Sequence, residues 1–274
     1  MSVNLDGFWI GKPGSLIRLP GWVGKIGVAH ESGVTFRQSA AGRRFAFVSG
    51  TRPARKWSVE IPYLTPEQVG DLQALMYEPV PEYLWLSVEA ATSNALTPEA
   101  SLGGSQHLQR IGAMKRDDGR VAPVAIANPG AATGDSPQIV GMAPVVSGSK
   151  VSASVWMSGR LGPYLLVQWL NADGVSFAQT QTARLSTSLD ALHRATLTLD
   201  VPTGAVAANV APMAAEYYAQ TALSWTPQPV EWGLGGLCQR GIVDGLTESI
   251  RRSRPDADPM GRLRDISFTV TEVG

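Results

Sequence analysis

Residues 55–88 predict a β-strand, a capped α-helix and a second β-strand in immediate succession. Large apolar side chains alternate with polar ones along the first segment: Trp57, Val59, Ile61 and Tyr63 share one face, opposite Lys56, Ser58 and Glu60. This period of two is typical of a half-buried strand. Almost everything else in the 274 residues also has a period of two, so we expect a mainly β protein with one helix.

The helix carries its own start and stop signals. An N-cap, a proline at the first helical position and a capping-box glutamine mark its start: Thr65, Pro66 and Gln68. Its apolar positions lie at helical spacing: Val69, Leu72 and Met76, with Leu75 beside them. Pro79 and Pro81 stop the helix. After them we expect a buried strand over residues 83–88.

Composition restricts the classes of function. Hydrophobic residues make up 44% and charged residues 17%, which is apolar enough for a packed core. Lys+Arg and Asp+Glu balance at 23 each, so net charge gives no reason to expect sequence recognition of nucleic acid or binding to an anionic membrane. The N-terminus lacks the pattern of a signal peptide. No apolar stretch approaches the ~20 residues needed to cross a bilayer, so we expect no membrane insertion.

The rest of the chain predicts short strands separated by Gly and Pro turns, with a change in composition after residue 90. Early strands are expected at Leu16–Leu19, Val34–Arg37 and Phe45–Val48. Regular alternation returns later, at Val151–Met157, Leu165–Leu170, Arg194–Val201 and Ala205–Val210. Strands at this spacing are typical of a β-sandwich or jelly roll.

The last strand predicts how the domains are organised. Ile266, Phe268 and Val270 alternate with polar residues, and such a strand needs a partner. Its pattern matches Trp57–Tyr63 better than the small-residue strands of 151–210. We therefore predict a split β domain of residues 1–92 and 228–274, into which a jelly-roll β-sandwich of residues 93–227 is inserted.

Cysteine and histidine chemistry is sparse. Cys238 is the single cysteine, so no internal disulfide is possible, and a buried thiol is favoured over a nucleophile paired with a distant histidine. His30, His107 and His193 lack metal-ligand spacing. We interpret Gly233–Gly236 as a hinge in preference to a phosphate loop.

The charged residues give only weak support for a calcium site, a nucleic-acid site or a hydrolase site. Asp256 and Asp258 could bind calcium, although a solvated turn is favoured. The Arg251–Arg254 run has no interleaved aromatic residues, which favours a solvated loop or a subunit contact over nucleic acid. Asp173, Asp190 and Asp200 are the acids that a glycoside hydrolase would need, but each lies beside a turn signal. We predict no catalytic residue, no metal site and no cofactor.

Two tryptophans are the candidate carbohydrate contacts, because an indole face can stack on a sugar ring. Trp156 lies on the polar side of its predicted strand, where it is either exposed or covered by a loop. Trp169 shares a face with Leu165 and Val167, so a core position is its default.

With these residues described, a resemblance can be named. Arg55–Ile61, Thr65–Val69 and Tyr83–Leu86 resemble the corresponding segments of minor or distal tail proteins of long-tailed, siphovirus-type phages of actinobacteria. Asn94–Pro98 resembles the segment that opens an insertion in such proteins, and Arg264–Val273 resembles their last strand.

Residues 151–210 resemble carbohydrate-binding-module jelly rolls. The similar segments are Val151–Trp156, Val167–Gly174 and Arg194–Pro202. Such modules often carry a tryptophan just before the arginine-led strand, where this chain has His193.

The first resemblance implies a tail-tube-like, ring-forming domain in the tip of a virion tail, commonly a homo-hexamer. The ring would be assembled in the host cytoplasm and would join the tail tube to the baseplate hub. The implied partners are further copies of the chain, the tail tube protein, the tape measure protein and hub proteins, with host cell-wall glycan as a possible ligand of the insertion. The second resemblance leaves an alternative open, a carbohydrate-binding module or lectin of a bacterial surface protein or an accessory domain of a glycoside hydrolase.

Overall fold

The computed structural model describes residues 7–19, 25–31, 34–38, 42–48, 54–79, 82–104, 109–128, 140–250 and 263–273. His107, the Arg251–Arg254 run, Asp256 and Asp258 lie outside these ranges. In chain order the described elements are β1 (Phe8–Gly11), β2 (Ile17–Leu19), β3 (Lys25–Glu31), β4 (Val34–Gln38), β5 (Arg44–Val48), β6 (Ala54–Leu64), α1 (Pro66–Met76), β7 (Glu82–Leu86), α2 (Val88–Ser93), α3 (Pro98–Ser101), β8 (Gln109–Ile111), β9 (Met114–Lys115), β10 (Val121–Ala122), β11 (Ala125–Ala127), β12 (Gly141–Pro144), β13 (Lys150–Gly159), β14 (Tyr164–Leu170), β15 (Ser176–Gln181), β16 (Ser188–Asp200), β17 (Ala207–Met213), β18 (Tyr217–Ser224), β19 (Cys238–Ile250) and β20 (Arg264–Glu272).

These elements confirm the predicted mainly β fold class. The chain divides into two compact units, which we call the split unit (residues 7–11, 17–85 and 238–274) and the sandwich unit (residues 12–16 and 86–237). The predicted domain boundaries, 92/93 and 227/228, differ from the observed changes at 85/86 and 237/238 by 7 and 10 residues. None of the described helices has the length and apolar character that a bilayer-spanning segment requires.

The split unit is built on a seven-stranded sheet in the order β2-β1-β7-β19-β20-β6-β3. The last strand, β20, pairs antiparallel with β6, and Phe268 lies opposite Val59 in that register. This confirms the predicted partner of the terminal strand. Among the described strands β3 forms one edge of the sheet, where Val28 is 49% exposed.

An aromatic cluster fills the core of the split unit. The Trp85 ring is fully buried, stacks on Phe8 at 5.6 Å between centroids, and meets the edge of Phe268 at 6.1 Å. Aromatic pairs in these geometries contribute about 0.5–1.5 kcal/mol beyond the burial of their area. Strands from both ends of the chain therefore share one core.

Helix α1 packs on this sheet with the predicted cap. The Thr65 hydroxyl accepts a hydrogen bond from the Gln68 N–H, and the Gln68 side chain accepts one from the Thr65 N–H. Val69, Leu72 and Leu75 are buried, whereas Met76, predicted to share their face, is exposed. The 3.6-residue repeat still places Met76 on the side of Val69 and Leu72, so its exposure reflects its position as the last residue of the helix.

Tyr63 also departs from its predicted position. The alternation placed it inward with Ile61, but it has a φ of +63° and its side chain is 54% exposed. The register of β6 with β20 shifts at this point, so Leu64 becomes the buried residue instead. A bulge of this kind reverses which side chain faces the core.

The sandwich unit contains an antiparallel five-stranded sheet, β16-β13-β18-β11-β8, and an antiparallel four-stranded sheet, β12-β17-β14-β15. The hairpin of β9 and β10 forms a separate two-stranded sheet. Two short helices that were not predicted, α2 and α3, precede the first of these strands. At six and four residues they are too short to show helical periodicity in the sequence.

The buried side chain of Asn94 forms a hydrogen-bond network inside the sandwich unit. Its fully buried side-chain amide donates to the Thr221 and Gly233 carbonyls, and its side-chain oxygen accepts from the Leu96 and Leu223 N–H groups. Both donors and the acceptor are therefore satisfied, as burial of an amide requires.

The Gly233–Gly236 segment is held in place, in contrast to the predicted hinge. The Gly235 N–H donates to the Ser101 hydroxyl and the Gly236 N–H donates to the Asn94 carbonyl. A Cβ at Gly235 would lie 2.3 Å from the Leu96 carbonyl oxygen. This glycine permits a close backbone approach and does not serve as a flexible joint.

Candidate functional site

Trp156 lies in the middle of the five-stranded sheet, where it pairs with Arg194 of β16 and Ala219 of β18. Its side chain projects on the face opposite Val155 and Met157. The β9–β10 hairpin covers that face, so Trp156 is only 6% exposed. It packs in a cluster with Ala122, Ala125, Leu192 and Ala219, and with the partly buried Ile111, Met114 and Tyr217.

Arg116 covers the indole directly. Its guanidinium carbon lies 3.9 Å from the centroid of the Trp156 ring, and the residue is 8% exposed. Nη1 donates to the Gln220 side-chain oxygen at 3.1 Å, and Nη2 donates to an Asp118 carboxylate oxygen. A buried guanidinium needs such partners, and a desolvated cation–π contact contributes about 2 kcal/mol.

The carboxylate that meets Arg116 is held in its ionised form. Partial burial acts to raise the pKa of Asp118, but hydrogen bonds from the Arg120 N–H and from Arg116 outweigh it, together with the charges of both arginines. The pKa of Asp118 is therefore lowered below its usual value. Arg116 and Asp118 remain a charged pair at neutral pH.

Backbone distortion accompanies this cluster. Gln220 has a φ of +53°, and the register between β13 and β18 shifts between Ser154 and Trp156. A non-glycine residue in this region costs of order 1–3 kcal/mol, and such strain is concentrated at functional sites. Here the bulge coincides with the residue that accepts the Arg116 hydrogen bond.

Further polar groups lie at the margin of the same cluster. The His193 ring Nδ1 lies 2.8 Å from an Asp117 carboxylate oxygen, and Arg194 donates to the Val230 carbonyl at 2.6 Å. The indole is covered by a guanidinium that a carboxylate and an amide hold in place, and these polar groups are of the kind that hydrogen-bond a polyhydroxylated ring. A sugar could stack on Trp156 only if Arg116 and the β9–β10 hairpin moved away.

Trp169, the other predicted contact, lies on β14 between Ala178 and Ala208 of the neighbouring strands. It is 2% exposed, and Leu165 and Val167 on the same strand are fully buried. The carbohydrate role of Trp156 and Trp169 stays a prediction.

The three acids that a hydrolase would need, Asp173, Asp190 and Asp200, have local structural partners. Asp173 donates its N–H to the Asn171 side-chain oxygen in the turn after β14, and the Asp190 N–H donates to the Ser188 hydroxyl. The carboxylate of Asp200 pairs with Lys150 at 2.6 Å. Asp190 and Asp200 are also separated by ten residues of one strand, about 30 Å, far beyond the ~5–10 Å of a hydrolase acid pair.

Cys238 lacks the exposure and the lowered pKa of an activated nucleophile. It is fully buried, and burial, with a smaller contribution from the Glu272 charge, raises the pKa of its thiol to about 12. Reactive cysteines require a lowered pKa and exposure. Within the described ranges, no group of three or more His, Cys, Asp or Glu side chains could hold a metal ion.

Sequence reasoning missed Arg116 and Gln220. An Asp-Gly pair at Asp118-Gly119 between Met114-Lys115 and Val121-Ala122 is a hairpin signal, and it would have indicated the β9–β10 cover. The return of that hairpin onto Trp156 is a tertiary contact without a local signal.

Comparison with known proteins leaves the family unassigned. No family model matches the chain, and a search of curated proteins found no match. Among solved structures, a tailspike protein 4 domain of bacteriophage CBA120 is similar with a TM-score of 0.33 and 11% identity, over 48% of this chain and 21% of the tailspike chain. This chain therefore spans about a fifth of that structure.

Two further solved structures are similar over most of their own length. The Dit protein of phage SPP1 matches with a TM-score of 0.22 and 10% identity, over 79% of this chain and 98% of Dit. A carbohydrate-binding module of the β-sandwich superfamily matches with a TM-score of 0.28 and 12% identity, over 81% of this chain and 92% of the module. Scores this low carry no inference about function.

Proposed function

We propose that this protein is a structural component of a bacteriophage tail tip. In this proposal the split unit forms a homo-oligomeric ring, most simply a hexamer, that joins the tail tube to the baseplate hub. The sandwich unit then serves contacts with neighbouring proteins or with the host surface. The chain carries out no catalysis in this role.

One observation carries the proposal, the interleaving of the two chain ends in a single sheet. Strands β19 and β20 lie side by side between β7 and β6, so the split unit is complete only when both ends of the chain are present. An element between these ends can vary without changing the strands that would meet a neighbouring copy. A constant scaffold with a variable insertion suits an assembly component, which must keep its ring contacts while its outer contacts change.

The mass of the purified protein in solution tests the proposal. We expect size-exclusion chromatography with light scattering to give a closed oligomer, alone or after addition of the tail tube protein, and electron microscopy to show rings. A protein that stays monomeric at every concentration, with and without tube and hub proteins, contradicts the proposal.

A second candidate function, carbohydrate binding, is favoured by the polar cluster around Trp156. A glycan array that includes host cell-wall fragments tests it, with Trp156→Phe as the control that keeps an aromatic face. Binding by the wild type that is lost in Trp156→Ala and kept in Trp156→Phe would support this function. Turnover of the same glycans that is lost in Asp173→Asn or Asp200→Asn would instead indicate a hydrolase.

A further inference from the structure

The β4–β5 hairpin stands apart from the seven-stranded sheet. Its two strands pair with each other and with no other described strand, with Arg37 opposite Phe45 and Gln38 opposite Arg44. A two-stranded hairpin is at best marginally stable in water, and Phe45 is 49% exposed. The hairpin therefore has apolar and hydrogen-bonding surface to bury against a partner.

Charge is unevenly distributed around this hairpin, although the whole chain is neutral. Residues 32–56 contain six Lys or Arg and no Asp or Glu, while residues 57–109 contain seven Asp or Glu and no Lys or Arg. The cationic hairpin is thus followed directly in sequence by an acidic stretch that includes α1. Complementary charge of this kind steers association between copies of one chain.

The exposed face of α1 is acidic, whereas the β4–β5 hairpin is basic. Glu67 and Asp71 are exposed and one turn apart, and no basic residue lies in the last turn of the helix. Like charges at this spacing destabilise an isolated helix. Tyr77 at the end of the helix is 89% exposed. A guanidinium-bearing partner would relieve the repulsion and can stack on the Tyr77 ring.

Small residues make this face accessible. Gly70 lies between Glu67 and Asp71, and a Cβ built on it meets nothing within 4 Å. Ala74 follows one turn later and is also exposed. Glycine in a helix interior is less favourable than alanine, and the monomer itself shows no crowding at Gly70 that would require it.

We infer that the β4–β5 hairpin of one copy docks on the exposed face of α1 in a second copy. Arg44 is placed to bind the Glu67 and Asp71 carboxylates through its guanidinium fork. The contact joins two different surfaces, so each copy still offers a free hairpin and a free helix face. Such a head-to-tail contact produces a ring when the rotation closes. This inference rests on the proposed function and names the ring's contact surfaces.

A complementation experiment tests the contact. One variant carries Arg44→Glu and the other carries Glu67→Lys with Asp71→Lys, both in the full chain. Each alone should associate at least about tenfold more weakly than the wild type, because like charges then face each other. In an equimolar mixture the intact hairpin of one variant meets the intact helix face of the other, and the two charge-reversed surfaces are also complementary, so mixed oligomers should form again. Light scattering measures all three samples.

Gly70→Gln provides a test that does not depend on reversed charge. The new side chain enters open space in the monomer and replaces a poor helix former, so thermal stability should rise. The same side chain would obstruct the docked hairpin, so self-association should fall. Asp173→Lys, at an exposed turn of the sandwich unit, is the matched control and should leave association unchanged.

The outcomes separate this inference from the proposed function. If the wild type forms rings and the Arg44 and α1 variants form them equally well, the ring exists and the inferred contact is wrong. If the wild type never associates, both ideas are overturned. Binding of the wild type to duplex DNA, lost in Arg44→Glu without any change in oligomeric mass, would assign the hairpin to nucleic acid and would also overturn the inference.

Discussion

Trp85 and Cys238 lie opposite each other in the antiparallel register of β7 and β19. The chain therefore leaves the seven-stranded sheet after Trp85 and returns to it beside the same residue. The two ends of the protein are joined by this pairing and by the pairing of β20 with β6. The stability of the amino-terminal strands consequently depends on residues near the carboxyl terminus.

Phe268→Ala tests that dependence. Phe268 is 3% exposed and meets the edge of the Trp85 ring, so its truncation should reduce the free energy of unfolding of the split unit by about 3–5 kcal/mol. Urea unfolding followed by tryptophan fluorescence measures the change. Thr269→Ala on the opposite face of β20 is the control, with an expected effect within about 0.5 kcal/mol. Equal midpoints for the two variants would contradict a shared core.

Asn94→Ala should destabilise the sandwich unit. Its removal leaves the Thr221 and Gly233 carbonyls and the Leu96 and Leu223 N–H groups without the Asn94 partner, at a cost of about 1–3 kcal/mol for each buried group that stays unsatisfied.

Asn94→Asp is the matched variant, because it keeps the shape and the acceptor but loses both donors. We expect it to be at least as destabilising as Asn94→Ala, since it also buries a charge. Thermal unfolding by calorimetry compares the two variants, and a wild-type midpoint in Asn94→Asp would show that the amide donors contribute nothing.

Arg116→Lys keeps the charge over Trp156 but removes the planar fork that bonds Gln220 and Asp118. We expect a loss of about 1–3 kcal/mol in the free energy of unfolding of the sandwich unit. Lys115→Ala, at an exposed neighbouring position, should have little effect. Denaturant titration distinguishes the two variants. If Arg116→Lys is as stable as the wild type, the hydrogen bonds of the Arg116 guanidinium contribute nothing to stability.

Alkaline pH should destabilise the split unit through Cys238. Below pH ~8.5 the thiol is protonated in the folded and unfolded states alike. Between that pH and about 12, the unfolded thiol releases its proton while the folded thiol retains it. The free energy of unfolding therefore falls as pH rises through this window.

Cys238→Ala is the control for this pH dependence. It should lower stability at all pH values, because it leaves a cavity, yet show a shallower decline above pH ~8.5 than the wild type. Burial also raises the pKa of Tyr218, but this residue lies in the sandwich unit and should affect the unfolding of that unit equally in both proteins. Parallel curves would contradict the assignment, as would rapid alkylation of the native thiol at pH ~8.5.

The elements with local signals were predictable from the sequence. The Thr65 cap, the buried stripe of α1 and the alternation of β6 and β20 each follow from neighbouring residues alone. Tyr63, Gln220 and Gly235 were not predictable in this way. Their positions depend on a bulge, a strained φ and a close backbone approach, all of which arise from strands distant in sequence.

In the candidate site, too, some features follow from local sequence and others depend on distant segments. The strand and face of Trp156 followed from the alternation of β13, but its cover did not. Arg116 is 40 residues earlier in the chain, and its contact with the indole depends on how β9 and β10 fold back. Sequence patterns give the direction of a side chain within its own strand, and they do not identify what another segment places above it.

Strand β3 has a consequence for handling the protein. No other described strand pairs with its outer edge, along which Val28 and its neighbours are exposed. Such an edge is a template for any other extended chain. At high concentration, newly synthesised copies will therefore tend to aggregate through this edge. The soluble yield of recombinant protein should rise when Val28 is replaced by proline or lysine.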